Sequence, residues 1–110
     1  MSTGKHDYLV QVPIKSSALQ AWASNRGAHI AHLKPYILDG TIVFGGPTLA
    51  AHPKSSEDTI EVRTSVLLFQ ASTEDEVRGI VEKNPFVDAG VWDMEKLVIA
   101  PFMCGVRTAM

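Results

Sequence analysis

Two kinds of hydrophobic spacing alternate along this chain, and their order constrains its fold more than any other feature. Period-two alternation marks strands, and recurrence every three or four residues marks helices. The stretch Tyr8–Ile14 alternates, with Tyr8, Val10, Val12 and Ile14 on one face. Pro13 cannot donate to a ladder and belongs near the strand end or on an edge. Leu19, Trp22, Ala23, Ile30, Leu33 and Ile37 then recur at close to helical spacing, behind a capping-box pattern from Ser17 to Gln20. Gly27 and Pro35 interrupt this stretch, which predicts two helical pieces or one kinked helix ending at Asp39-Gly40.

Thr41–Phe44 reads as a second strand, closed by a sharp exit at Gly45-Gly46-Pro47 and followed by a polar loop from about residue 48 to residue 58. Thr59–Ala71 reads as a long strand with Ile60, Val62, Val66 and Leu68 on one face and Leu67 and Phe69 on the other. Apolar residues on both faces of its second half imply that both faces are covered. Thr73–Glu76 is another capping box, with acids that suit a helix N-terminus, and it opens a helix with Val77, Ile80 and Val81 inward. Asn84-Pro85 stops that helix, and Lys96–Phe102 is the last strand.

The order β-α-β-β-α-β predicts an α+β fold of the ferredoxin-like kind, a four-stranded antiparallel sheet with both helices on one face. The other face is then an apolar surface that a second copy should cover, which predicts a homodimer. The 110 residues fit one domain spanning the whole chain, with residues 1–7 polar and loose. A formal net charge of −2, with no block of lysines or arginines, argues against nucleic acid or an anionic membrane as partner. Cys104 is the single cysteine, so no internal disulfide can form and a reducing, cytoplasmic setting is expected. The N-terminal stretch lacks the apolar core of a signal peptide, and no run approaches the ~20 apolar residues of a spanning helix.

Reactive side chains are densest between Arg26 and His32. On an unbroken helix, Leu19, Ile30, Leu33 and Ile37 centre the buried stripe and Arg26 falls within it. His29, Trp22 and Tyr36 share one flank, and His32 turns further towards water. One reading has Arg26 bind an anionic substrate group while His29 carries a proton, as an imidazole titrating near working pH can. The other has Arg26 in a structural ion pair and His29 as a hydrogen-bonded boundary residue. His29 and His32 alone make a poor metal site, because a catalytic zinc takes three protein ligands. Nothing flanking Cys104 suggests an activated thiol, Gly45-Gly46-Pro47 lacks the helix and lysine of a phosphate loop, and Phe86 and Trp92 read as core or dimer contacts.

The stretch Arg26-Gly-Ala-His29-Ile-Ala-His-Leu33, then Asp39-Gly40 and Gly46-Pro47, resembles the YCII-related family of small dimeric α+β-barrel proteins. Ser72-Thr-Glu-Asp-Glu-Val77, Asn84-Pro-Phe-Val-Asp-Ala-Gly90-Val-Trp92 and Pro101-Phe102 follow in the family's order, and the tail from Val91 to Arg107 resembles its fungal branch. The resemblance implies a ferredoxin-like protomer in a dimeric α+β barrel, with a pocket in which a helix histidine faces an aspartate. It implies acid-base chemistry of lyase or isomerase type on a small acidic or carbonyl compound, without an organic cofactor. His29 matches the histidine, but Asn84 stands where the family has aspartate. Asparagine can hold a tautomer yet supplies no charge. On this reading His29 carries the proton, Asn84 orients it, Arg26 anchors an anion, and Trp22 and Tyr36 line the pocket. Asp88, as a substrate contact, or Asp93 takes the missing acid's place if the loop after the second helix folds back. The alternative is a non-catalytic, ligand-binding or accessory dimer.

Overall fold

The computed structural model describes residues 4–106, so residues 1–3 of the expected loose leader and Arg107 of the tail motif lie outside it. Four strands form one antiparallel sheet: β1 (His6–Pro13), β2 (Ile42–Leu49), β3 (Val62–Ala71) and β4 (Val98–Phe102). Their order is β2-β3-β1-β4, the ferredoxin-like arrangement, with helices α1 (Leu19–Leu38), α2 (Glu74–Glu82) and α3 (Pro85–Asp88) flanking the sheet. Cross-strand register places Tyr8 opposite Phe69, Val10 opposite Leu67 and Val12 opposite Ser65. These residues share a face and form the core with Leu33 of α1, Val77 and Val81 of α2, Phe86 of α3, and Val91 and Trp92 beyond it.

The expected dimeric α+β barrel is not the architecture found. The sheet is open: β2 pairs with β3 and β4 pairs with β1, and among the described residues the two outer strands do not meet. A closed sheet wide enough to hold side chains takes about eight strands, twice what this sheet contains.

Several local expectations also change. His6 and Asp7 belong to β1 rather than to a loose leader. The Ser17 capping box does not form: Ser16–Ala18 make a 3-10 turn, and the Ala18 N–H bonds to the Lys15 carbonyl before α1 begins. Helix α1 is continuous through Gly27, and Pro35 falls in its last turn, where one lost backbone bond leaves the preceding ladder intact. Its buried stripe is narrower than the spacing suggested. Leu33 is buried, whereas Ile30 is 46% and Ile37 49% exposed, and Arg26 is exposed as well. These side chains face β2, where Gly45 and Gly46 offer no side chain to meet them.

Strand β2 continues through Gly45-Gly46-Pro47 instead of ending there, and Pro47 is tolerated because β2 is an edge strand. Strand β3 begins at Val62 rather than residue 59, and β4 at Val98, because Met94–Lys96 form a 3-10 turn. Helix α2 starts with the Thr73 hydroxyl accepting from the Glu76 N–H at 3.2 Å. No helix among the described residues is long and apolar enough to cross a membrane.

Candidate functional site

Asn84-Pro85 stops α2 and also starts α3. Asn84 is the N-cap and Pro85 the first helical residue, where a missing N–H costs nothing. The Asn84 carboxamide oxygen accepts from the Phe86 N–H at 2.9 Å and lies 3.0 Å from His29 Nδ1. Only an oxygen can accept from that N–H, so the cap fixes which way the amide points. His29 Nδ1 must then carry the hydrogen and donate, which makes Nε2 the acceptor of the neutral ring. Nε2 has no hydrogen bond among the described residues.

The ring is also held by its faces. Phe86 stacks on His29 with centroids 4.1 Å apart and planes 11° apart, and Trp92 meets it edge-on at 5.6 Å. The Trp92 indole N–H in turn donates to the Ser65 hydroxyl at 2.9 Å. Burial pushes the His29 pKa below its ordinary 6.5, the hydrogen bond that Nδ1–H donates to Asn84 opposes this, and the positive charges of His32 and Arg26 add to the lowering. His29 therefore stays neutral further into the acid range than a free imidazole.

A cavity of about 320 Å³ opens beside this cluster, between α1 and the β2–β3 pair. Trp22, Arg26, His29 and Ser65 stand in its wall together with Ile30, Leu33, Ile37, Ile42 and Leu67. The Arg26 guanidinium lies over the Trp22 ring at 5.7 Å. It is a cation at the surface of the cavity, rather than part of a buried ion pair.

Other candidates are placed elsewhere. Tyr36 is not in the cavity wall and packs edge-on against His32 at 5.9 Å. At 100° per residue it lies on the opposite side of His29 from Leu33 and Ile37, on the flank facing α2. His32 shares that flank and bonds to the Ile80 carbonyl at 3.0 Å rather than to water, so the two histidines address different partners. Asp88 is exposed on α3, and Asp93 sits 3.9 Å from the Lys96 amine; neither lines the cavity. Cys104 lies past β4, its backbone N–H bonded to the Asp7 carboxylate. Ser65 was not singled out from the sequence. Its signal is a hydroxyl in register with Leu67, Phe69 and Ala71 on the helix-covered face of β3.

Residues 7–102 match the YCII-related domain. The chain belongs to the YCII-related family. Its relatives include fungal proteins. One is the derivative of benzaldehyde biosynthesis cluster protein C of Emericella nidulans, 39% identical over 85 residues, or 77% of this chain and 87% of the relative. Another is a Xenovulene A biosynthesis cluster protein of Sarocladium schorii, 31% identical over 110 residues, 94% of this chain and 93% of the relative. Among solved structures, this YCII-related protein is similar to the 5-chloro-2-hydroxyhydroquinone dehydrochlorinase of Burkholderia phenoliruptrix, in complex with 2,5-dihydroxybenzoquinone. That match has a TM-score of 0.73 and 30% identity, and it covers 88% of this chain and 93% of the other. The YCII-related protein thus shares the fold of a dehydrochlorinase and occurs among relatives named for fungal biosynthetic clusters.

Proposed function

We propose that this YCII-related protein is an enzyme of lyase or isomerase type, using acid-base chemistry on a small acidic or carbonyl metabolite in fungal small-molecule metabolism. The observation that carries this reading is the fixed tautomer of His29, a cavity-wall imidazole whose Nδ1–H is held by Asn84 and whose Nε2 lone pair is free to accept. In the proposed step Nε2 takes a proton from a hydroxyl or carbon acid of the substrate. The electron pair left behind either expels a leaving group, as a lyase requires, or is reprotonated at another atom, as an isomerase requires. Arg26 pairs with the developing oxyanion, and Trp22 shares the wall beside it. Asn84 acts through His29 as a positioning residue. No cofactor is assigned a part in this reading.

The likeness to a dehydrochlorinase that binds a dihydroxybenzoquinone supports a quinonoid or phenolic substrate class. The open, half-exposed outer sheet face, with Phe44, Val98 and Phe102, supports a homodimer, and the single Cys104 fits a cytoplasmic setting. Binding without turnover is the second reading. Asn84 favours it, because an amide gives the imidazole no charge to stabilise its protonated form.

Replacing His29 by alanine should reduce turnover of a hydroxyquinone or lactone substrate by roughly 100-fold to 10,000-fold, with an unchanged circular dichroism spectrum. The wild-type kcat/KM should rise with pH through a midpoint below 6.5, the ordinary imidazole value. Unaltered turnover in the alanine variant ends the catalytic reading.

A further inference from the structure

The cavity wall is chemically divided along α1. Towards the helix N-terminus stand Arg26 and His29, with Ser65 across from them on β3. Towards the C-terminus stand Leu33, Ile37 and Ile42, without a charged group among them. Helix α1 leads directly into β2 through residues 39–41, so Ile37 and Ile42 belong to the same end of the cavity. At 1.5 Å per residue, Ile37 lies about 12 Å along the helix axis from His29.

A single six-membered ring seated against His29 and Arg26 is too short to cover that distance. It leaves the apolar end wet, and the large apolar side chain of Ile37 at that end is 49% exposed. Gly45 lets the Leu67 side chain pack directly against β2. A Cβ there would run into the Leu67 side chain and come 3.2 Å from the Val66 carbonyl, so a larger residue could fit only by displacing the wall.

We infer that the natural ligand is amphipathic, an acidic ring or carbonyl head bound at Arg26, His29 and Ser65 and carrying an apolar arm that lies along Leu33, Ile37 and Ile42. The cation at one end and the uncharged wall at the other select for both parts of such a molecule. This inference rests on the proposed site and adds the arm to it.

The test is equilibrium binding of 2,5-dihydroxybenzoquinone and its 3-propyl and 3-hexyl derivatives by isothermal titration calorimetry. Each methylene that becomes fully buried is worth about fourfold in affinity. The hexyl compound should bind at least 100-fold more tightly than the parent. Arg26→Gln should weaken all three compounds by a similar factor. Ile37→Gln should remove most of the gain due to the arm while leaving the parent's affinity unchanged, and Val98→Ser on the outer sheet face should leave the gain intact.

If the parent binds but the arm adds nothing, the amphipathic ligand is overturned and the head site stands. Should none of the three bind, both readings fall. An arm gain that survives Ile37→Gln while that variant changes the sedimentation of the protein assigns the apolar end to contact between copies, and also overturns the inference.

Discussion

The two ends of the cavity are built by opposite means. At one end, His29, Asn84, Phe86, Trp92 and Ser65 form a connected set in which His29 Nδ1, the Asn84 carboxamide oxygen, the Trp92 N–H and the Ser65 hydroxyl all have partners and each ring lies against another. At the other, Ile37 stands half exposed over an edge strand with two adjacent glycines. A packed, hydrogen-bonded cluster fixes one orientation, which proton transfer needs. An open apolar wall imposes little orientation and accommodates differences in length. Within one small cavity, the head position is specified tightly and the remainder loosely.

Substitutions can sharpen or break that contrast. The largest effect is expected from Phe86→Ala, which removes a fully buried ring together with the stacking surface of His29 and should cost about 3–5 kcal/mol in urea denaturation. Next is Ser65→Ala, which leaves the buried Trp92 N–H without an acceptor and should cost about 1–3 kcal/mol.

Asn84→Asp should act on charge more than on packing. The carboxylate retains the Phe86 cap and faces Nδ1, so the His29 pKa should rise when the ring protons are followed by NMR. Since a raised pKa favours the imidazolium, the acid limb of kcat/KM should move to higher pH. An unmoved titration would mean that the 3.0 Å contact does not persist in solution. The smallest effect is expected from Ile37→Gln at the apolar end, where stability should change by no more than about 0.5 kcal/mol. If Ile37→Gln destabilises as much as Ser65→Ala does, the contrast between a fixed and a permissive end fails.

The strand and helix order was readable because periodicity reports burial directly. Tyr8, Val10, Val12 and Ile14 do face the core, and Thr73 does cap α2. Boundaries were less legible where backbone groups had a choice of partners. Ser17 lost its cap to a 3-10 turn, and Gly45-Gly46-Pro47, which reads as a chain reversal, runs on as an edge strand once β3 supplies the ladder. Periodicity assigned Ile30 and Ile37 to a buried stripe because it sees the helix and not what stands opposite. The same blindness put Tyr36 with Trp22 and His32 towards water, until α2 gave the second flank of α1 a partner in Ile80.

The sequence by itself determined an α+β chain with ferredoxin-like element order and marked His29 and Asn84 as residues to watch, because local spacing and capping chemistry are written in neighbouring positions. Tertiary structure alone decided that the sheet stays open, and it supplies the 3.0 Å contact between His29 and Asn84, 55 positions apart, a pair that the family resemblance and no local spacing had put together. It also decided that Ser65 belongs to the site and that Arg26 faces a cavity rather than an ion pair. Such facts depend on which surfaces meet when α1 packs across β2 and β3, and a contact between distant segments leaves no periodic trace in either of them.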